Sequence, residues 1–452
     1  MYSRCKVLDN FNNLSNDRSS YSQIKVMQQL KNKFKKKIIL IYGYGKSGSA
    51  SFNYLKKNNK IYIFDDFKII KNLPFIKLKK INKISFDYIL LSPGINIRKC
   101  KLKKFLKNYK KKIITDLDIF YNFYPKNKKI TITGTNGKST TSLLLYKILL
   151  AHKKKVKLVG NIGKPMLSVT KVTKNTIFVI EASSYQIAYS QYFKTDYAII
   201  LNISPDHLER HGNIQSYANA KFKLINNQEK NTFSFVDNDN KYLEKEISKK
   251  KYKSKLKVVK NLNFLKIKNK ITNPYFHNLN NIQNLSFIFE IGKQLKLSDK
   301  IIFKSVNSFK GLNYRQQIIK KNKNFTIIND SKSTSFSSSL NLLKSYKNII
   351  WILGGLSKKN DKFKLPSKYF KNIKCYIYGK DKNFFANILK GKISLQKFNT
   401  LNQIISKIKL DLKIKKNLNI IFSPSAASFD QFSNFEDRGK YFNYLVKKKL
   451  FR

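Results

Sequence analysis

Eight consecutive residues constrain this chain more than any other feature: Thr133-Gly134-Thr135-Asn136-Gly137-Lys138-Ser139-Thr140. They follow an apolar run, Ile130 to Thr133, and precede an amphipathic one, Thr141 to Leu150. Strand, glycine-rich loop and helix in that order make a phosphate-binding turn. Glycines let successive backbone N–H groups converge on phosphate oxygens, and the N-terminus of the following helix favours the anion. Lys138 is suited to neutralising β- and γ-phosphates and the Ser139 hydroxyl to binding Mg²⁺, with Gly134, Thr135, Asn136, Gly137 and Thr140 completing the cradle. ATP and Mg²⁺ are therefore the expected cofactors. The loop is not the common GxxxxGK[ST] form, because Ile132 occupies the place of its first glycine.

The rest of the chain repeats the rhythm of short apolar runs and longer amphipathic stretches, which marks parallel sheets covered by helices. Strands are expected at Lys37–Tyr42, Lys60–Phe64, Tyr88–Leu91, Ile130–Thr133, Ile177–Ile180, Tyr197–Leu201, Phe325–Ile328, Ile349–Leu353, Lys374–Tyr378 and Asn419–Phe422. This reads as an α/β chain of three domains: 37–115, 116–311 and 312–452, preceded by an extension over residues 1–36 that lacks periodicity and suits disorder. No run is long and apolar enough to span a bilayer, and the polar start does not read as a secretory signal. Cys5, Cys100 and Cys375 lie far apart without metal-ligand spacing, so a cytoplasmic chain without disulfides is expected.

The formal charge of +67 invites a nucleic-acid reading. Its distribution argues otherwise. Lysine is spread through every segment together with Asn, Ile, Phe and Tyr, while Arg is scarce, so the residues with A/T-rich codons are the enriched ones. Recognition of phosphates and bases draws on Arg forks. A mutational bias of the genome explains the pattern, and no specific nucleic-acid partner is expected.

The short GTNGKST loop resembles that of the Mur ligase family, which also includes folylpolyglutamate synthases, and the resemblance continues over nearly the whole chain after about residue 37. It implies a Rossmann-like N-terminal domain, a P-loop ATPase central domain and a Rossmann-like C-terminal domain. The turn Gly43-Tyr44-Gly45-Lys46-Ser47-Gly48 resembles the family's grip on a UDP diphosphate, with Gly45, Lys46 and Ser47 as contacts and Asp65, Ser92, Pro93 and Gly94 near the uracil. Asp66 and Phe67 depart from the Thr and Arg frequent there. Gly160-Asn161-Ile162-Gly163 and Glu181-Ala182-Ser183-Ser184-Tyr185-Gln186 resemble further substrate segments, implying contacts from Asn161, Ser183 and Gln186 and a metal-binding Glu181. Pro205-Asp206-His207 supplies a second ligand in His207, and Tyr217-Ala218-Asn219-Ala220-Lys221 resembles the segment whose lysine is carbamylated to a third. His277-Asn278-Leu279-Asn280-Asn281 resembles a stretch in which Asn278 and Asn281 place the nucleotide, and Arg315 is the expected phosphate-side arginine. Tyr314 and Gln317 depart from the usual His and Glu, so no role follows for them.

Asn329-Asp330-Ser331-Lys332-Ser333-Thr334 resembles the NDSKAT motif of the members that add D-glutamate, which puts Asp330 on the ATP side and Lys332 and Thr334 on the amino-acid side. Leu353-Gly354-Gly355 with Lys358, and the long segment Ser423 to Glu436, match the same members, implying that Lys358 and Ser428 take glutamate carboxylates and that Phe429 and Phe435 shape the pocket. The implied reaction is ATP-dependent addition of D-glutamate to UDP-N-acetylmuramoyl-L-alanine through an acyl phosphate, by a monomer, with Lys138, His207, Lys221, Lys332 and Lys358 as the chemical residues. Lys332, Lys358 and Ser428 are remote in sequence from the loop, so domain closure is expected. The Asp-Asn-Pro-Arg motif of the diaminopimelate-adding members and the GTHGKT loop of the alanine-adding ones are absent. Another amino-acid ligase of this family, or an inactive polyanion-binding homologue, are the alternatives. A dehydrogenase built on the first turn alone leaves the second nucleotide loop and the third domain unexplained.

Overall fold

A computed structural model describes residues 33–237, 240–249, 251–260, 267–277, 279–358, 361–414 and 416–451. The expectation for the N-terminal extension falls largely, and that for Asn278 wholly, outside these residues. The described residues build three sheets. The first has the order β2-β1-β3-β4, with β1 Ile38–Tyr42, β2 Lys60–Phe64, β3 Tyr88–Leu91 and β4 Ile113–Ile114, all paired in parallel. In the second, β5 (Lys129–Thr133) lies between β7 (Ile177–Glu181) and β8 (Tyr197–Ile200). Outside them stand β6 (Val156–Gly160) on one side and β9 (Phe233–Asp237) and β10 (Lys255–Val259) on the other. The third runs β11-β12-β16-β13-β14-β15: Gln317–Lys321, Phe325–Asn329, Leu418–Phe422, Ile349–Gly354, Ile373–Tyr378 and Ser394–Lys397. Only β11 is antiparallel to its neighbour there, with a register shift between Ile318 and Lys320.

The central strands are continuous apolar runs such as IILIY and IIWILG, as expected for parallel strands covered on both faces. In the third sheet, alternate residues feed different cores. Trp351, Leu353, Cys375, Ile377 and Ile421 pack into one, and Ile350, Ile352, Tyr376, Tyr378 and Ile420 into the other, following the two-residue side-chain period of a strand. The expected strands all form, with ends shifted by a residue at most. The amphipathic run after the phosphate loop becomes the helix Lys138–Ala151, which buries Ser139 to Ser142 and four apolar residues further on.

The described residues pack as two compact units, one drawn from within 1–138 and 153–258, the other from within 139–152 and 259–452. In the first unit, a continuous apolar core carries Ile39, Ile41, Leu117, Phe120, Phe178, Ile180 and Ile200, so the first and second sheets share one interior.

Candidate functional site

In the first unit, the loops that leave the carboxyl ends of neighbouring parallel strands gather, which is where open α/β sheets bind ligands. The phosphate loop leaves β5. Gly134 and Gly137 adopt φ of +154° and +82°, angles that side-chain-bearing residues avoid. Asn202, just beyond β8, holds the loop: its Oδ1 accepts from Asn136 N at 2.8 Å and Thr135 N at 3.2 Å. Thr135 Oγ1 accepts from Ser204 N at 3.0 Å. Two lysine side chains then converge on one carbonyl, since Lys138 Nζ and Lys221 Nζ each donate to Gly134 O at 2.8 Å. Lys138 Nζ also reaches Thr135 O at 2.8 Å. Lys221, in the helix Ile214–Asn226, is buried, 4.5 Å above the Tyr217 ring centroid. Burial above all, then the Lys138 charge, pushes its pKa well down, while Asp206 opposes the shift.

Glu181 ends β7 beside this loop and is also buried. Its Oε2 has no hydrogen-bond partner among the described residues. A buried carboxylate oxygen without a donor is costly unless something cationic meets it, and so this oxygen fits a magnesium ion. Asn161 N donates to the Glu181 carbonyl at 3.0 Å, which seats the Gly160–Gly163 turn against it. A Cβ at Gly160 would lie 2.3 Å from that same carbonyl oxygen, so only glycine permits the approach. His207 lies not at the end of β8 itself but seven residues on, at φ +54°, heading the short helix Leu208–His211. Its ring nitrogens lie 3.4 Å from Asp206 Oδ2 and 3.7 Å from Glu209 Oε1. Among the described residues no cluster of three His, Cys, Asp or Glu forms a ready metal site. Any magnesium here would be held by Glu181 with His207, and by Lys221 only after its amine gained an anionic head.

The N-terminal turns are braced more than the sequence suggests. Asp65 is expected near the uracil, yet its carboxylate accepts from three backbone amides, Tyr44 N at 2.7 Å, Phe67 N at 3.0 Å and Lys68 N at 3.1 Å. It therefore shapes the turn after β1 and the loop after β2. Ser92 Oγ donates to Gly43 O at 2.6 Å, and Pro93 and Gly94 present their carbonyls to Arg210. Gly45 and Lys46 are exposed at the start of the helix Lys46–Leu55. Ser47 Oγ donates to Asp116 Oδ2 at 2.7 Å, and Gln186 Nε2 to Asp116 Oδ1 at 2.9 Å. Gln186, expected as a substrate contact, is only 2% exposed and also closes a capping box with Ser183. The structure makes it a brace, because both ends of its amide already have protein partners.

In the second unit, Thr140 Oγ1 shares a 3.4 Å hydrogen bond with the Tyr275 hydroxyl, while Ser139 is buried. Asn281 Nδ2 donates to Tyr275 O at 2.8 Å. The loops after β12, β16 and β13, three adjacent strands, knit together: Asp330 N donates to Phe422 O, Gly354 N to Pro424 O, and Leu356 and Ala427 exchange backbone bonds. A Cβ on Gly355 would stand 2.3 Å from Ala427 O, which explains the glycine at this crossing. Asp330 is fully enclosed. Its Oδ1 accepts from Gln316 N at 3.1 Å and its Oδ2 from Ser423 Oγ at 3.0 Å, and burial raises its pKa to about 7. Lys332 Nζ lies 4.1 Å from the Phe435 ring centroid and Arg315 Cζ 5.9 Å, so these three meet. Ser428 is buried and Thr334 exposed, while Lys358 is half-buried, three residues before Asp361, whose N–H donates to Lys358 O. Phe429 is 71% exposed, so it lines no closed pocket in this structure. Tyr314 and Gln317, the departures, pair with one another: Tyr314 N donates to Gln317 Oε1 at 3.1 Å.

Sequence reasoning passed over several residues of the site. Asp118 accepts from Ser190 Oγ and the backbone amides of Gln191, Tyr192 and Phe193. His211 shares a 2.9 Å bond with Ser184 Oγ, stacks on Tyr185, and has its pKa driven to about 4, by burial first and then by Lys221 and its other basic neighbours. Arg210 and Arg438 also went unnoticed. Rarity was the available signal, since acids and arginines are the scarce charged residues of a lysine-rich chain.

Residues 132–302 match the Mur ligase middle domain. A UDP-N-acetylmuramoylalanine–D-glutamate ligase of Rickettsia prowazekii is 32% identical over 445 residues, spanning 92% of this chain and 99% of its own. One of the same name from Francisella tularensis subsp. tularensis is 33% identical over 420 residues, with 90% and 95% covered. Among solved structures, the UDP-N-acetylmuramate–alanine ligase of Thermotoga maritima superposes with a TM-score of 0.56 at 16% identity, covering 91% of this chain and 99% of its own. The MurF ligase of Thermotoga maritima in complex with ADP gives 0.56 at 14%, covering 92% and 97%. With a relative this similar aligned along nearly its whole length, the chain belongs to the Mur ligase family, on the branch of the UDP-N-acetylmuramoylalanine–D-glutamate ligases.

Proposed function

We propose that this chain joins D-glutamate to the L-alanine carboxylate of UDP-N-acetylmuramoyl-L-alanine at the expense of ATP, in the cytoplasmic assembly of peptidoglycan precursors. The observation that carries the chemistry is the meeting of Lys138 and Lys221 on the Gly134 carbonyl, with the donor-free Glu181 Oε2 ending the adjacent strand. A carboxylate and an amine do not condense in water at useful rates. Transfer of the γ-phosphoryl group to the carboxylate gives an acyl phosphate, the D-glutamate amine attacks its carbonyl carbon, and phosphate leaves as the amide forms.

Each residue has a part in this. Lys138 faces the charge that builds on the transferring phosphoryl group, in a site whose dipoles are already fixed by Asn202. Magnesium, held by Glu181 and His207, would supply further charge neutralisation there. Burial lowers the Lys221 pKa and so favours the neutral amine, the form that adds CO₂; the resulting carbamate would complete the metal's oxygen ligands. Lys332, Lys358 and Ser428, on loops from adjacent strands of the third sheet, suit an amino acid with two carboxylates. The domain division at about residues 115 and 311 assigns the nucleotide precursor, ATP and amino acid to successive parts of the chain. The deciding experiment is phosphate release and product formation with ATP and UDP-N-acetylmuramoyl-L-alanine, comparing D-glutamate with L-alanine, L-lysine and diaminopimelate. Turnover with D-glutamate alone is expected. Comparable turnover with another amino acid moves the chain to a different branch of the family.

A further inference from the structure

The sequence holds seven arginines within a combined Lys and Arg count of 92. Where lysine has spread so widely, an arginine whose fork joins several acceptors does work that an ammonium does not. The described residues bear this out. Arg438 is buried and donates to Ser331 O, Ser331 Oγ and Ala426 O, which ties together two loops of the third sheet. Arg210 does the equivalent in the first unit. Its Nη1 donates to Pro93 O at 2.8 Å and its Nη2 to Gly94 O, while its Cζ lies 4.0 Å from the Tyr185 ring centroid. Two N–H bonds from separate nitrogens to successive carbonyls, made by a group lying over a ring, use the planar fork of a guanidinium, whereas an ammonium offers only one nitrogen.

Under the function proposed above, the two turns joined in this way serve opposite ends of one substrate. Ser92-Pro93-Gly94 follows β3 at the nucleotide end. Arg210 stands three residues after His207, and Tyr185, which it covers, packs against both His207 and His211 at centroid distances of 5.1 and 5.4 Å. A second tether runs alongside, from Arg98 Nη2 to His211 O at 3.2 Å.

We propose that Arg210 is a positioning residue for the ligation: its guanidinium fixes the distance between the turn that receives the nucleotide and the His207 loop at the phosphoryl-transfer end. This rests on the function proposed above. A substrate anchored at its nucleotide presents its far carboxylate at a set reach, and only a frame of fixed length brings that carboxylate within attack distance of the γ-phosphate. Loss of the brace therefore moves the reacting carboxylate without removing any group that touches it.

The test compares Arg210→Lys, Arg210→Ala and Arg98→Lys in the full-length enzyme, with separate titrations of UDP-N-acetylmuramoyl-L-alanine, ATP, D-glutamate and Mg²⁺. Arg210→Lys keeps the charge but loses the fork, so kcat/KM for the nucleotide precursor should fall about 10²-fold, nearly as far as in Arg210→Ala. Half-saturation by Mg²⁺ should rise in both, while KM for D-glutamate stays close to wild type. Arg98→Lys, which need replace only one bond, should behave as wild type. Wild-type kinetics in Arg210→Lys would overturn the proposal, and so would an equal fall in every parameter accompanied by a lower melting temperature. A wild-type enzyme inactive with every amino acid would instead count against the proposed function.

Discussion

Asp330 offers a test in which the structure sets both sign and size. Its carboxyl is enclosed, and burial lifts its pKa from 3.8 to about 7. Between those values the unfolded chain carries an aspartate anion while the folded chain keeps the acid neutral. A group whose folded pKa is raised contributes stability that is complete below the unfolded value and is lost as pH climbs through the folded one. Three pH units at about 1.4 kcal/mol each give roughly 4 kcal/mol of stability lost between about pH 4 and 7. Asp330→Asn keeps the shape: the amide oxygen can still accept from Gln316 N, and Ser423 Oγ can turn to accept from the new N–H. The variant should therefore lack this loss and gain on wild type as pH rises. The assay is built into the molecule. Trp351, the single tryptophan, is buried in β13 and donates its Nε1–H to Ser423 O at 2.8 Å, so its fluorescence reports on this network. Urea midpoints of that signal, measured from about pH 4 to about 8, should diverge between the two proteins. Parallel pH profiles would refute the argument that burial holds Asp330 neutral.

Three further outcomes are expected. Lys221→Ala should lose ligase activity and recover part of it with added short carboxylic acids, whereas Lys221→Arg should stay inactive because a guanidinium does not take up CO₂ as the amine does; full activity in the arginine variant would remove the carbamate from the scheme. Lys358→Ala should raise KM for D-glutamate strongly and leave KM for ATP nearly unchanged, and L-glutamate should be a poor substrate, since the inverted centre cannot place two carboxylates and the amine together; steady-state kinetics with each substrate varied in turn would show either failure. Binding to nucleic acid should be weak, indifferent to sequence and lost steeply with salt, as diffuse lysine contacts dictate, so a sequence-selective complex surviving ~0.2 M salt in a filter or anisotropy assay would overturn the reading of the charge.

What the sequence determined is plain in the sheet centres and in the phosphate loop. Strands such as IILIY and IIWILG are apolar on both faces because helices cover both, so composition alone reveals them. The glycines and Lys138 had to stand in their order because backbone N–H groups and one cation must meet phosphate there. Of the six strands that reading missed, β9 stands one place in from an edge, and β4, β6, β10, β11 and β15 lie at sheet edges. Four of these carry a lysine or a polar side chain within the run, as in VKLVG, KLKVV, QIIKK and SLQK, because an edge is only partly covered and tolerates charge. Their place in the sheets was settled by tertiary pairing, not by local pattern.

The same division runs through the site. Motifs named Gln186, Asp65 and Phe429 as contacts, since a motif records where a residue stands and not what else claims its polar atoms. Folding supplied those claims: Asp116 engages Gln186, and the amides of Tyr44, Phe67 and Lys68 engage Asp65, while Phe429 stays exposed among the described residues. Lys221 shows the limit most clearly. In the sequence it is one lysine among many, and only its enclosure beside Lys138 and Gly134 withdraws water from it and lowers its pKa, because desolvation is a property of the packed surroundings and not of the residue.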